Sequence, residues 1–280
     1  MTATYEVVDD TDVQQNLLLG LAWLGEVATG HIHRLWYPKY AERSVRRILQ
    51  RLEHDGLIER RLWAIPRKGT TPIRQESMWS LSKAGRALLS HEEQFPVAYK
   101  APRHRLLMHH GWITTETIVH MIELGRAANL SGVHVERDIP LNPPNRGPIM
   151  DALVMLRTGT SYPYPNAVPW MNNPHMKIDG ELRRRYAIES DSRKETTSAI
   201  ASKALAYQAA ATPAWVEQYR LFPIVVWVVR SEARLQLINS IWTQFWPEGK
   251  WLLTVDSWLG QDHWIEYFKG EVRTRKLFEK

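Results

Sequence analysis

Hydrophobic residues in the first part of the chain recur at helical spacing in three segments and then alternate at strand spacing in two. A glycine after the first segment and a threonine before the second are a typical helix stop and a typical helix cap. The predicted elements are helices Val13–Leu24, Gly30–Trp36 and Glu42–His54, strands Leu57–Ile65 and Glu76–Leu81, and a short helix from the Ser82 cap to Leu89. This order predicts a winged helix-turn-helix domain, with the turn-rich segment 66–72 as the wing tip.

The positive charge of the chain is concentrated in this region. The chain has a net charge of +6, yet His31 to Arg74 alone carries eleven Lys and Arg against four acids, so the remainder sums to about −1. On the third helix the arginines lie on or beside the face opposite an apolar stripe, as a helix that enters the major groove requires. The residues predicted to contact DNA are Arg43, Ser44, Arg46, Arg47, Arg51, Arg60, Arg67 and Lys68.

Two simpler explanations of the basic helix remain open at this point. Basic amphipathic helices are often only solvated faces, and some winged helices bind protein alone. The coincidence of charge, helix order and wing favours duplex DNA as the partner.

A second pattern follows a polar, proline-containing segment. The predicted organisation is a winged-helix domain over 1–92, a linker over 93–103 and an α/β domain over 104–280, which makes the chain α+β or α/β in class. The order is helix, three strands, helix, strand, helix, strand, with an insertion loop between Thr158 and Asp179. Its predicted elements are helix His104–Asn129, with a break at Gly111, strands Val133–Ile139, Ile149–Leu156 and Arg185–Asp191, helix Thr196–Ala211, strand Phe222–Val229, helix Glu232–Phe245 and strand Trp251–Val255.

Three acids fall on adjacent predicted strands. Asp151 lies on the second strand of this domain, and Glu189 and Asp191 lie two apart on the third, so the last two point to one face of the sheet. The element order and these acids resemble the mixed-sheet core of PD-(D/E)XK nucleases. That resemblance implies a catalytic set of Asp151, Glu189, Asp191 and Lys203, and a Mg²⁺ or Mn²⁺ ion held by Asp151 and Glu189, with Asp191 as a further candidate ligand.

The sequence departs from the nuclease pattern at one position. The pattern expects a lysine two residues after the glutamate, where this chain has Asp191. Lys194 or Lys203 could supply the missing cation, and Glu116 or Glu123 could be a further ligand. The alternative is an inactive, binding-only sheet in which Glu189 and Asp191 pair with Arg193, Lys194 or Lys203. Both interpretations remain open.

Short strings in both halves resemble the replication-relaxation family of bacterial plasmids and mobile elements. They are Ser44–Arg60, Trp79–Arg86, Met150–Leu153, Ala187–Ser192, Lys203–Tyr207 and Phe222–Ala233. The resemblance implies a role in plasmid replication or DNA relaxation.

Composition excludes several other functions. The chain has no cysteine, so it has no disulfide, no thiolate metal site and no cysteine nucleophile. A Walker-type phosphate loop and a Ser-His-Asp elbow are both absent from the sequence. The acidic, polar N-terminus and the lack of a long apolar run predict a cytoplasmic protein with no membrane partner.

Histidine and tryptophan are the remaining unusual components. The densest histidine group is His104, His109, His110 and His120, for which we expect surface or DNA-facing roles. Most of the 13 tryptophans are expected in the core or at a subunit interface, with Trp170 as a residue that could stack on an unpaired base.

Two functions therefore compete. The first is a duplex-DNA-binding factor in replication, relaxation or transcriptional control, with a degenerate nuclease-like domain. The second is a Mg²⁺- or Mn²⁺-dependent endonuclease or nickase that the winged helix directs to its site. A homodimer on a palindromic site is the expected assembly.

Overall fold

A computed structural model describes residues 10–65, 74–90, 105–128, 132–141, 149–158, 181–191, 195–213 and 222–278. The chain divides into two compact units, one containing the described residues up to 90 and the other those from 105 onward. The predicted linker 93–103, the wing tip 66–72 and most of the predicted insertion loop lie outside the described residues. The protein is mixed α and β, as the sequence predicts.

The described part of the first unit contains four helices around a three-stranded antiparallel sheet of order β1-β3-β2. Its elements are α1 (Asp10–Leu24), β1 (Val27–Ala28), α2 (Thr29–Trp36), α3 (Glu42–His54), β2 (Ile58–Ile65), β3 (Arg74–Leu81) and α4 (Lys83–Leu89). The predicted helices and both strands of the hairpin are confirmed, to within a few residues at their ends. Ser82 caps α4 as expected, because its Oγ accepts a hydrogen bond of 2.9 Å from the Gly85 N–H.

The start of α2 differs from the prediction. Thr29 is the first residue of the helix, and its side chain does not cap it. The Thr29 hydroxyl instead accepts a hydrogen bond of 2.8 Å from Trp79 Nε1 and donates one of 3.3 Å to the Ser77 carbonyl. This hydroxyl therefore connects α2 to β3. The neighbouring short strand β1 is not predicted by the sequence pattern.

The second unit is built on a seven-stranded mixed sheet of order β10-β9-β8-β7-β6-β5-β4. Strands β4 to β6 are antiparallel neighbours, β6 to β8 are parallel, and β8 to β10 are antiparallel again. Its elements are α5 (Arg105–Ala127), β4 (Gly132–Pro140), β5 (Ile149–Thr158), β6 (Glu181–Asp191), α6 (Thr197–Ala210), β7 (Ile224–Val229), α7 (Glu232–Phe245), β8 (Lys250–Val255), a 3-10 helix (Asp256–Gln261), β9 (Trp264–Phe268) and β10 (Glu271–Arg275).

Two predictions for this unit are wrong. Helix α5 runs through Gly111 without a break. An interior glycine costs only about 1 kcal/mol relative to alanine, and the fully buried side chains of Ile113, Ile118 and Ile122 offset that cost. The strand at Trp251–Val255 does not complete the domain either, because the hairpin of β9 and β10 extends the sheet by two strands.

Helices lie on both faces of the sheet. An aromatic and aliphatic cluster packs α6 and α7 against one face, and Trp227, Trp242 and Trp251 are fully buried in it. On the other face, Ser190 Oγ lies 2.8 Å from Thr114 Oγ1 of α5. Successive strand residues point to opposite faces, so Glu189 and Asp191, on either side of Ser190, face the layer of α6 and α7. The expectation that most tryptophans of the C-terminal third lie in the core is confirmed for these three.

Glu266 of β9 is the centre of an ion-pair cluster on the sheet. It is 1% exposed and lies 3.0 Å from Lys250 Nζ, 2.5 Å from Arg273 Nε and 2.9 Å from Arg275 Nη1. Burial alone would raise the pKa of Glu266, but hydrogen bonds from these three cations outweigh burial and lower the pKa to about 2. The ionised carboxylate is therefore part of the folded state at neutral pH.

This cluster predicts a specific loss of stability in acid. An unfolded glutamate has a pKa near 4.5, so the contribution of Glu266 is present above that value and is lost as the pH falls toward 2. We expect this group to contribute a loss of roughly 3 kcal/mol over that range. Urea unfolding of Glu266→Gln should show a lower stability at neutral pH and a weaker acid dependence. An acid dependence equal to that of the unsubstituted protein would contradict this account.

Candidate functional site

The first candidate site is the exposed face of α3. Val45, Leu49 and Leu52 are buried, which fixes the rotation of the helix and leaves Arg43 and Arg47, four residues apart, on the outer face. Arg51 continues the same face, and all three arginines are exposed. Among the described residues, none of the three forms an ion pair, so their guanidinium groups are available to an external anion.

The other predicted DNA-contact residues differ in their surroundings. Arg46 is exposed but lies 2.7 Å from Glu42 Oε1, one turn earlier on the helix. Ser44 is half-buried. Arg60 of β2 lies 3.4 Å from Glu53 Oε1 and 5.9 Å from the ring centre of Trp79, so it is held against the unit. Arg67 and Lys68 lie outside the described residues.

The second candidate site is the acid cluster at the end of β6. Glu189 is fully buried and accepts two side-chain hydrogen bonds from α6. Lys203 Nζ donates to Oε2 over 2.7 Å, and the Tyr207 hydroxyl donates to Oε1 over 2.7 Å. Lys203 also donates to Glu195 Oε1 over 2.6 Å. The Glu189–Lys203 pair, one of the pairings considered for a binding-only sheet, is present.

Asp151 lies at the edge of this cluster and has partners of its own. Its Oδ2 accepts a hydrogen bond of 2.6 Å from the Ser190 N–H, and its Oδ1 lies 3.0 Å from His110 Nε2. His110 was expected to lie on the surface or to face DNA, but its half-buried ring on α5 faces Asp151. The spacing of histidines in the sequence gave no signal for this contact, because it joins residues far apart in the chain.

Asp191 has a different partner from the other two acids. It is fully buried and pairs with Arg234 of α7, whose Nη2 also donates to the Glu195 carbonyl over 2.6 Å. Arg234 had no sequence signal beyond its place in the first turn of a predicted helix. The alternative partners Arg193 and Lys194 lie outside the described residues.

Burial and charge together set the protonation of the cluster. Burial raises the pKa of Glu189 to about 7, against the opposing attraction of Lys203. Burial disfavours the charge on Lys203, but the attraction of Glu189 and Glu195 outweighs it and raises the pKa of Lys203. Burial likewise raises the pKa of Tyr207, while the Asp151 carboxylate outweighs burial and raises that of His110. Each described acid of the cluster therefore has a hydrogen-bonding or positively charged partner.

Metal binding at this site would rest on two carboxylates. Within the described ranges, no group of three or more His, Asp or Glu side chains is placed to hold a metal ion. Asp151 and Glu189 carry the hard oxygen ligands that a divalent ion prefers, whereas Asp191 is engaged by Arg234. Glu123 and Glu116 of α5 were the two acids considered as additional ligands. Glu123 Oε2 lies 4.0 Å from His120 Nδ1 of the same helix, and the Glu116 side chain is half-buried.

The sequence of the chain matches the model of one protein family. The replication-relaxation family model matches residues 21–225, which is well over half of the chain. The chain belongs to the replication-relaxation family. The match covers α3 as well as Asp151, Glu189 and Lys203, whereas Arg234, the partner of Asp191, lies beyond it. Membership indicates a role in replication or relaxation.

Two further comparisons, with curated proteins and with solved structures, found no match. No curated protein matches the chain. No solved structure matches it either. Among the helices that the structure describes, none has the length and apolar character needed to cross a membrane.

Proposed function

We propose that the chain is a duplex-DNA-binding protein of plasmid or mobile-element replication or relaxation, or of its transcriptional control. Its first unit would be a winged helix-turn-helix with α3 as the recognition helix and the β2–β3 hairpin as the wing. One observation carries this proposal. Helix α3 packs on the unit through Val45, Leu49 and Leu52 and directs Arg43, Arg47 and Arg51 away from it.

The proposed binding mode follows from this geometry. An α-helix fits the major groove of B-DNA, where arginine can donate two hydrogen bonds to guanine, and arginines at the groove edge reach phosphates. Phosphate contacts set the affinity and its salt dependence, whereas base contacts set the sequence preference. Further contacts to the DNA phosphates, beside the helix, would come from Arg60 and from the wing residues Arg67 and Lys68. A homodimer on a palindromic site stays a prediction.

We propose that the second unit is a degenerate, nuclease-like domain with a binding role. The order of α5, three strands, α6 and β7 resembles that of the PD-(D/E)XK core, and Asp151 and Glu189 lie on neighbouring strands. The carboxylates that would serve a metal are already engaged, Glu189 by Lys203 and Asp191 by Arg234. Removing such partners from buried acids is costly, which favours a structural role for the cluster.

A filter-binding assay with duplex DNA tests the DNA-binding proposal. We expect the full chain to retain a labelled duplex at low salt, on the order of 50 mM, and to release it as salt rises, because neutralised phosphates release counterions. No retention at low salt would contradict the proposal.

One observation supports a second candidate function, that of a Mg²⁺- or Mn²⁺-dependent endonuclease or nickase. Lys203 lies 2.7 Å from Glu189, so α6 supplies the cation that the strand lacks at position 191. In this function Asp151 and Glu189 would hold the ion, whose chemistry is the activation of water and the stabilisation of phosphoryl charge. Lys203 would favour the ionised form of Glu189 and orient its carboxylate.

A plasmid-nicking assay separates the two functions. Supercoiled plasmid is incubated with the full chain and Mg²⁺ or Mn²⁺, beside Asp151→Ala, Glu189→Ala and the exposed control Glu248→Ala. The binding factor predicts no nicking in any sample and duplex binding in all. Nicking that is lost in the first two variants and kept in the control would establish the nuclease instead.

A further inference from the structure

The outer part of the second unit's sheet has a face that no proposed role yet uses. Residues paired directly across strands share a face, and Phe268 pairs with Lys250 on one side and with Glu271 on the other. Glu266 and Arg273 form the next such pair on this face. The opposite face carries Tyr267 and Trp251, which pack in the core with α6 and α7. We call the face that carries Lys250, Phe268, Glu266 and Arg273 the basic sheet face.

Positive charge exceeds negative charge on this face. The buried carboxylate of Glu266 is shared by Lys250, Arg273 and Arg275. Glu271, the cross-strand partner of Phe268, is the second acid of this face, so three positive charges stand against two negative charges. The Arg273 side chain is 62% exposed while Glu266 is 1% exposed. The guanidinium group of Arg273 is therefore bound to a buried acid and still open to an anion from solvent.

Two lysines of this region lie over an exposed aromatic ring. Phe268 is 40% exposed, and its ring centre is 5.3 Å from Lys250 Nζ and 5.4 Å from Lys269 Nζ. Lys269 and Gly270 form the two-residue turn between β9 and β10, and both have positive φ (51° and 85°). This conformation fits a tight hairpin turn, which places the ring and Lys269 at the hairpin end.

We propose that the basic sheet face binds single-stranded DNA, with an unpaired base stacked on Phe268 and the flanking phosphates bound by Lys250, Lys269 and Arg273. An aromatic ring between cations on an open sheet is the combination that binds unpaired bases without sequence preference. A base inside a duplex cannot stack on the ring, so this contact is specific to unpaired strands. The choice of DNA rests on the proposed function, and replication or relaxation exposes such strands.

The family match ends at residue 225, so this face lies outside the region that defined the family. The proposal therefore depends on the chemistry of the hairpin itself. It also gives the chain two separate contacts, with duplex on α3 and an unpaired strand on the basic sheet face.

Fluorescence anisotropy with a labelled oligothymidylate of about 15 nucleotides, long enough for one such site, tests the proposal on the full chain. We expect Phe268→Ala to weaken binding about tenfold, the effect of losing one base–aromatic stack. Phe268→Trp should retain the affinity, because the larger ring still stacks. Val272→Ala is the matched control, since Val272 is an exposed apolar residue of the same hairpin that pairs with Tyr267 and lies on the opposite face.

The outcomes separate this proposal from the duplex-binding one. Unchanged affinity in Phe268→Ala, or equal losses in Phe268→Ala and Val272→Ala, would overturn it and leave the Glu266 cluster a purely structural feature. Tighter binding of oligouridylate than of oligothymidylate would overturn the assignment to DNA. Duplex binding, measured in parallel, should be unaffected by Phe268→Ala and should depend instead on Arg43 and Arg47.

Discussion

Replacing Arg43 and Arg47 together by alanine is expected to weaken duplex-DNA binding about a hundredfold. Each guanidinium group is exposed and forms no ion pair with the described residues, so each is available to a phosphate or a base edge. A hydrogen bond to a charged group contributes roughly 1.5–3 kcal/mol, and about 1.4 kcal/mol corresponds to tenfold in affinity. The measurement is filter binding of the double variant and the unsubstituted chain to the same duplex.

The control for this experiment is Lys83→Ala, which removes an exposed cation from α4 in the same unit. We expect it to retain most of the duplex affinity. Thermal unfolding of the double variant should be unchanged, because both arginines are exposed and α3 is held by its buried apolar residues. A double variant that folds normally and binds duplex as tightly as the unsubstituted chain would rule out α3 as the recognition helix.

Replacing Lys203 by methionine is expected to destabilise the second unit by about 3 kcal/mol near pH 8. The substitution removes a cation from the fully buried Glu189, and breaking a buried pair in this way costs roughly 3–5 kcal/mol. The loss should be smaller near pH 5.5. Without Lys203 the pKa of Glu189 rises beyond its present value of about 7, so below that pH the carboxyl is protonated and no longer buries a charge.

Urea unfolding at the two pH values measures this effect, and the double variant Lys203→Met/Glu189→Gln is its control. A neutral glutamine removes the unpaired charge and can still accept the Tyr207 hydrogen bond, so the double variant should recover most of the lost stability and should not show the pH dependence of Lys203→Met. An equal loss at both pH values, or a double variant as unstable as Lys203→Met, would show that the acid cluster is not held by this pair.

The parts of the fold that could be predicted from the sequence are the segments with a strong hydrophobic periodicity. Helix α3 was predicted because its apolar stripe and its charged face are both continuous. Helix α7 was predicted because its apolar residues recur at helical spacing between uncharged polar ones. The short strand β1 and the β9–β10 hairpin were missed, since strands of two and five residues carry little periodic signal. The hairpin did leave one signal, Gly270, because two-residue hairpin turns favour glycine.

The acid cluster was predictable only in part. The spacing of Glu189 and Asp191 on one strand predicted their common face, and Lys203 was among the cations considered for Glu189. The partners Arg234 and His110 come from elements distant in the chain, so only the packing of α7 and α5 on the sheet brings them to Asp191 and Asp151. The resemblance to the nuclease core implied a metal ion held by Asp151 and Glu189, with Asp191 as a further candidate ligand, whereas side-chain pairing divides the acids among separate partners.

The salt dependence of duplex binding tests the central claim most directly. The affinity of the full chain for one duplex is measured across a range of salt concentrations, beside the Arg43→Ala/Arg47→Ala variant. Each phosphate contact contributes about 0.9 to the slope of log affinity against log salt, so we predict a steep fall for the unsubstituted chain and a shallower one for the variant, by up to about two contacts. An affinity indifferent to salt, or identical slopes in the two proteins, would contradict duplex binding through α3.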